Sequence, residues 1–393
     1  KMIIKARGTI TKKHADNKTV EVDWDNKFTK RNWYFYTTRT TIWRLKTEDE
    51  YKYKKYLLKL IEFIWDDAPQ DYDWFVDQWG WNETKNSIDE EEVIDPAFIV
   101  EYPDYTIDDA TNDVFLSQSE FTNIVDNLKR KKNVILQGPP GVGKTYIAKR
   151  LAYLLMGKKD DSRVQMVQFH QSYSYEDFVQ GWRPKETGGF SLQNGVFYTF
   201  CNAANRSDQK HVFIIDEINR GNLSKIFGEL MMLIESDKRG PEFSIPLTYA
   251  QEGEKEFHVP ENVYVMGLMN TADRSLAMVD YALRRRFAFM TLEPQFESES
   301  FRTHLEGVGV NSKLISKIVS RLSNLNEEIA SDTKNLGPGY VIGHSFFCPA
   351  SKGQVLDDDW YKTIVLNEVK PLLEEYWFDD SKKSDNAVGA LLG

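Results

Sequence analysis

Eight consecutive residues, Gly138 to Thr145 (GPPGVGKT), have the spacing of a phosphate loop: a glycine, four residues, then Gly-Lys-Thr. Glycines in such a loop let backbone N–H groups turn inward around phosphate oxygens, and a helix starting there adds the partial positive charge of its N-terminus. The flanks fit this setting, with the apolar run NVILQ before the loop and TYIAKRLAYLL, at helical spacing, after it. Gly138, Pro139, Pro140, Gly141, Val142 and Gly143 then wrap the phosphates, Lys144 reaches the β- and γ-phosphates, and the Thr145 hydroxyl binds Mg²⁺. The alternative is a chance glycine-rich turn, against which the neighbouring strand and helix both argue.

About seventy residues on, VFIIDEINR runs an apolar strand into two carboxylates. Asp216 is placed to hold Mg²⁺ through water, and Glu217 to act as base or orienting group for the attacking water. An acidic pair that merely ends a strand is the plainer reading. A third strand, in NVYVMGLMN, ends at Asn270 and continues as TADRS. Ligands of a parallel sheet sit beyond the carboxyl ends of its strands, so Asn270 can polarise the water or touch the γ-phosphate. Thr271, Ala272, Asp273 and Arg274 follow on the loop, where Asp273 and Arg274 could bind base, water or a neighbouring protein, and Asp273 or Ser275 could equally cap a helix. Further on, ALRRRF places Arg284, Arg285 and Arg286 at a helix end. Cations there complement the helix dipole, but three exceed that need. In a ring such a cluster reaches the γ-phosphate of the adjacent subunit, and Arg285 is the first choice for that finger, with Arg284 and Arg286 at the interface.

Stepping out from these residues, the runs NVILQ, VQMVQF, HVFIID and NVYVMGLMN read as strands buried on both faces, with helical segments between them. The expected fold is therefore α/β: a mostly parallel sheet between helices over 116–293, then a helical lid over 294–393. Ahead of it, residues 1–45 alternate β-branched and aromatic residues and read as a small β-rich domain, and 46–115 as a helix plus an acidic connector. Two inserts, GWRPKETGGFSLQNGVF and FSIPLTYAQEGEKEFHVP, read as hairpins that line a pore or grip a partner, or as plain surface loops.

Composition narrows the class. With 41% hydrophobic and 13% aromatic residues, the 393-residue chain can bury a sizeable core. Its two cysteines, Cys201 and Cys348, offer no disulfide framework and suit a cytoplasmic setting. No apolar run nears the roughly 18 residues of a membrane span, and no signal peptide is visible, so no membrane association is expected. The chain opens on Lys1, which points to a start inside a longer protein. The net charge of −10 hides an asymmetry: residues 1–60 hold 16 Lys+Arg against 7 Asp+Glu, and 61–115 hold 1 against 17. The basic front, with Trp24, Trp33, Tyr34, Tyr36 and Trp43, could track a DNA backbone and stack a base, although alternation turns half of those rings inward as core. No nuclease motif appears, and His14, His170, His211, His258 and His304 are scattered. Any cleavage should belong to another chain.

Taken together, GPPGVGKT, MVQFHQSYSYEDFVQGWRP, FIIDEINRGNLSKIFGELMMLIE, DKRG, MNTADRS, DYALRRRF and IGHSFF resemble the McrB family over roughly 133–393. The family comprises GTP-hydrolysing AAA+ subunits of restriction systems that cut DNA carrying modified cytosine. The resemblance implies GTP with Mg²⁺ rather than ATP, a homo-oligomeric ring that is usually a hexamer, and a separate McrC-like nuclease partner that stimulates hydrolysis. It makes Asn270 to Asp273 the signature loop that responds to the partner. It also makes Asp237, Lys238, Arg239 and Gly240 a guanine-side element, although a Lys-Arg pair after a helix can be only a dipole-complementing terminus. By the same resemblance His344 approaches the nucleotide from the lid, and the N-terminal module reads modified DNA. Two other readings stand beside this one: an ATP-using remodeller of protein substrates, and a nucleic-acid-binding module whose nucleotide site only holds a ring together.

Overall fold

Strands buried on both faces require helices above and below them, and the chain meets this in its central sheet. The computed structural model describes residues 102–393 apart from 186–187, 251–252, 254, 274–280 and 350–354, and, before them, residues 2–4, 8–13, 20–25, 27, 31–33 and 54–66. The chain divides into two compact units, Lys1–Glu101 and Tyr102–Gly393.

In the first unit, β1 (Met2–Ile4) pairs antiparallel with β4 (Arg31–Trp33), and β2 (Gly8–Lys13) with β3 (Val20–Trp24). A helix at Lys54–Trp65 follows, where the sequence changes to helical spacing. Residues 34–53 and 67–101 lie outside the described residues, as do the side chains of Trp24, Trp33, Tyr34, Tyr36 and Trp43.

In the second unit, β5 (Asn133–Gly138), β6 (Val164–Gln168), β9 (His211–Asp216), β10 (Val263–Asn270) and β11 (Ala288–Thr291) form a parallel sheet in the order β11-β5-β10-β9-β6; between them β7 (Gln180–Pro184) and β8 (Phe190–Asn194) form the first expected hairpin. Successive residues of the inner strands serve opposite cores. Val134, Leu136, Val212, Ile214, Met266 and Leu268 pack with helices Gln118–Lys131 and Lys144–Met156. Ile135, Phe213, Ile215 and Val265 pack with helix Val196–Ala204 and the Leu223–Leu233 region. The C-terminal helices Glu299–Gly307, Ser312–Ser331, Asp358–Ile364, Lys370–Tyr376 and Ser381–Leu392 enclose a third core around Ile318, Leu322, Tyr361 and Trp377.

Four details differ from the sequence expectation. Strand β6 is an edge strand, so it is not buried on both faces, and Met166 is partly exposed. The fifth strand, β11, is a half-exposed four-residue edge and lacks the signature of the inner strands. Strand pairing in the second insert is limited, among the described residues, to a two-way backbone bridge between Ile245 and Phe257. Residues 102–115, expected in the connector, instead join the core through Tyr105, Ala110 and Val114.

At the N-terminal edge of the sheet, Arg239 is buried and donates to the Ile234 and Val263 carbonyls and to Asn133 Oδ1 at 2.8–3.1 Å. Its burial pulls the guanidinium pKa down to about 10, still well above neutrality. Removing this strut leaves buried acceptors short of donors at about 1–3 kcal/mol each and opens a cavity. Arg239→Ala should therefore lower stability by about 3 kcal/mol or more, read as a reduced denaturant midpoint, whereas the half-exposed Lys238→Ala should change it little. Equal midpoints for the two variants would refute the strut.

Candidate active site

The parallel register collects the chemistry at one sheet edge. Asn270 pairs with Gly138, and Gly267 lies level with both Ile135 and Ile215, so the phosphate loop, the Asp216–Glu217 pair and Asn270 leave neighbouring strands together.

Gly141 and Gly143 adopt φ of +78° and +76°, which turn the loop into helix Lys144–Met156. The helix leaves its first amides unpaired by helical bonds, with exposed Thr145 in that first turn. Lys144 Nζ donates to the Gly138 and Pro139 carbonyls at 3.0 and 2.9 Å. Burial lowers the Lys144 pKa to about 8, opposed by the negative charges of Glu217, Asp216 and Asp273. Thr145 and Asp216 carry hard oxygen donors of the kind Mg²⁺ takes and would be able to hold one. Among the described residues no group of three His, Cys, Asp or Glu could hold an ion unaided, so phosphate oxygens and water would complete its shell. Such an ion neutralises charge on the transferring phosphoryl group.

Glu217 sits in the left-handed region at φ +52°, an uncommon conformation for a non-glycine residue. Its two carboxylate oxygens have different partners. Asn270 Nδ2 donates to Oε1 at 2.8 Å, and Arg220 Nε donates to Oε2 at 3.1 Å. Arg220 also reaches Asp273 Oδ2 at 3.2 Å, so one guanidinium spans Glu217 and the loop after Asn270. Sequence reasoning missed Arg220. The available signal was its place three residues after Glu217 in DEINR.

The remaining expected residues are distributed differently. Thr271 gives its hydroxyl to the lid, donating to the Gly339 carbonyl at 2.8 Å, while its amide donates to Gly138. Ala272 and Asp273 line a cleft of about 450 Å³ with Pro140, Tyr340 and Tyr376. Arg274 and Ser275 lie outside the described residues. His344 does not face the nucleotide site: its ring packs among Phe115, Phe296 and Phe301, its Nδ1 accepts the Gln295 amide, and burial pushes its pKa down to about 4. Its neighbours make the contact through backbone. The amides of Gly343 and Ser345 donate to the Pro140 and Gly141 carbonyls at 3.0 and 2.8 Å.

The Asp237–Gly240 element and Arg284–Arg286 lie at the opposite sheet edge. Arg239 bonds to Asn133, the first residue of β5; Asn133 bonds to the Arg286 carbonyl, and Lys131 to that of Arg285. A strand of roughly 3.3 Å per residue separates that edge from the phosphate loop. Both groups therefore sit a strand's length from the phosphate loop of their own chain, and Arg239, buried against backbone carbonyls, is placed as a structural strut rather than as an exposed guanine contact.

Residues 133–287 match the AAA domain of the dynein-related subfamily, and residues 317–385 match the alpha-helical lid domain of McrB. The chain is 53% identical to the EcoKMcrB subunit of a type IV methyl-directed restriction enzyme of Escherichia coli K12, over 74% of this chain and 63% of that protein. It is 27% identical to the YdiS component of the type II restriction enzyme BsuMI of Bacillus subtilis 168, over 41% of this chain and 57% of that protein. The chain thus spans less than two thirds of the length of either relative.

Glu217→Gln should retain nucleotide binding and lose hydrolysis; undiminished turnover would remove Glu217 as the base. Arg220→Ala should reduce kcat by about tenfold to a hundredfold, the range of a misplaced general base, with KM nearly unchanged. A change confined to KM would instead make Arg220 a binding residue. Below about pH 8 Lys144 is charged, and above it the free protein holds a neutral amine. Because phosphate favours the ammonium, nucleotide affinity should fall as pH rises through 8, and calorimetry should show proton uptake on binding there. Lys144→Met should bind weakly at every pH without that dependence.

Proposed function

We propose that this chain, McrB-like in its AAA domain and its lid alike, is the GTP-hydrolysing motor subunit of a modification-dependent restriction complex. The observation that carries hydrolysis is the Glu217 carboxylate, held at one oxygen by Asn270 and at the other by Arg220 beside the phosphate loop. A site kept only to bind nucleotide has no need of an oriented base in a strained backbone conformation.

In this reading a water aligned by Glu217 attacks the γ-phosphate in line, its proton passes to the carboxylate, and the bond to the β-phosphate oxygen breaks. Lys144 and the loop amides hold the phosphates, and Thr145 and Asp216 would hold Mg²⁺. Asn270 orients Glu217, and Asp273, linked through Arg220, gives a partner a route to the base. The choice of GTP rests on family likeness, because a phosphate loop makes no contact that distinguishes bases. Position supports ring assembly: Arg285 lies at the far edge of its own sheet from the phosphate loop, as an arginine serving another copy's nucleotide would. An McrC-like nuclease subunit supplies cleavage, and the basic front region contacts DNA carrying modified cytosine.

Steady-state hydrolysis of GTP and ATP, side by side and with or without the candidate nuclease partner, tests the reading. The expected result is preference for GTP and stimulation by the partner. Preference for ATP without stimulation would move the function to remodelling of protein substrates.

A further inference from the structure

A network around one buried carboxylate joins two motifs at the N-terminal edge of the sheet. Glu235, only 7% exposed, carries three cations: Arg286 at 2.8 Å, Lys238 at 3.2 Å and Arg285 at 3.9 Å. Arg286 is committed inward, since its Nε also donates to the Met231 carbonyl at 2.6 Å. The Arg284 guanidinium lies over the Phe289 ring, 5.8 Å from its centroid. Arg285 differs from both. Its side chain is 77% exposed, and its ion pair with Glu235 is long. Such a contact aims a guanidinium without tying it down, and a phosphate can replace it at little cost.

We propose that Glu235 is a positioning residue that holds Arg286 and Lys238 as anchors and presents Arg285 to the γ-phosphate of a neighbouring copy. The proposal rests on the trans-acting arginine of the functional reading above. Asn133 supplies the mount: its Nδ2 donates to the carbonyls of Ile234 and Arg286, and its Oδ1 accepts from Arg239. Residue 234, next to Glu235, and the arginine cluster are therefore both pinned to the first residue of β5, the strand whose other end becomes the phosphate loop. DKRG thus belongs to the finger of one subunit, and the finger is tied through one strand to that subunit's own site.

The test measures GTP hydrolysis by the full chain as Arg285→Ala, Glu235→Ala and Glu235→Gln, alone and mixed in equal amounts with Glu217→Gln. Arg285→Ala should lower kcat by about a hundredfold or more, toward the loss expected for an arginine finger. Glu235→Ala should lower kcat by about tenfold with KM within about twofold, and the isosteric Glu235→Gln should fall between it and the parent. The decisive readout is rescue, because a Glu217→Gln chain lacks a base but can lend a well-placed arginine to the intact base of its neighbour. Mixtures with either class of variant should exceed the sum of their parts. Rescue of Arg285→Ala without rescue of the Glu235 variants would overturn the role of Glu235. Full activity of Arg285→Ala would overturn the trans-acting arginine and this proposal with it. If Glu235→Ala does not fold, Glu235→Gln carries the same comparison.

Discussion

Everything at the candidate site depends on the parallel register of three neighbouring strands. Pairing of Asn270 with Gly138, and of Gly267 with both Ile135 and Ile215, brings the phosphate loop, the acidic pair and the signature loop out of the sheet together. A parallel strand can hold this alignment only if both its faces are covered, which is why its residues alternate between two separate cores. The apolar interior is therefore the jig for the polar edge. A one-residue slip would turn every strand side chain to the wrong core and displace the base from the loop.

Within that frame the Glu217 carboxylate concentrates the polar interactions. A non-glycine residue in the left-handed region costs about 1–3 kcal/mol and persists where its surroundings over-determine it. Here Asn270 and Arg220 each hold one carboxylate oxygen, and Arg220 continues to Asp273. One guanidinium thus links the loop after Asn270 to Glu217. The lid enters the same network through backbone. Gly343 lies so close to Gly141 that an added Cβ would come within 2.0 Å of the Gly141 carbonyl carbon, and Asn326 of the long lid helix holds Ile342 by both its amide and its carbonyl. With Thr271 bonded to Gly339, the lid grips both the phosphate loop and the signature loop.

The opposite sheet edge is built on other principles. Arg239 is buried and satisfied by backbone carbonyls, whereas Lys238, Arg285 and Arg286 gather around the Glu235 carboxylate. Asn133 joins this edge to β5, so the two ends of one strand hold the nucleotide site and the arginine cluster.

Much of the chemistry was legible in order along the chain. Gly138 to Thr145, Asp216 with Glu217, and Asn270 each follow an apolar run, and that adjacency alone implies a strand tip with a phosphate loop, an acidic pair and a carboxamide. Local spacing sets backbone conformation and side-chain type, so the four strands and the first hairpin could be read the same way. What spacing does not contain is which elements become neighbours. Arg220 meets Asp273 across 53 residues because their strands are neighbours in the sheet, while Thr271 turns its hydroxyl to the lid and His344 is sealed among phenylalanines because of how lid and sheet dock. DKRG looks exposed and polar in sequence, yet its arginine is interior, because helix, strand β5 and strand β10 converge where only a long donor can satisfy their carbonyls. The sequence by itself determined which polar groups end which strands; the tertiary structure decided which edge each group faces and which partner holds it, since both depend on strand order and on the packing of segments far apart in the chain.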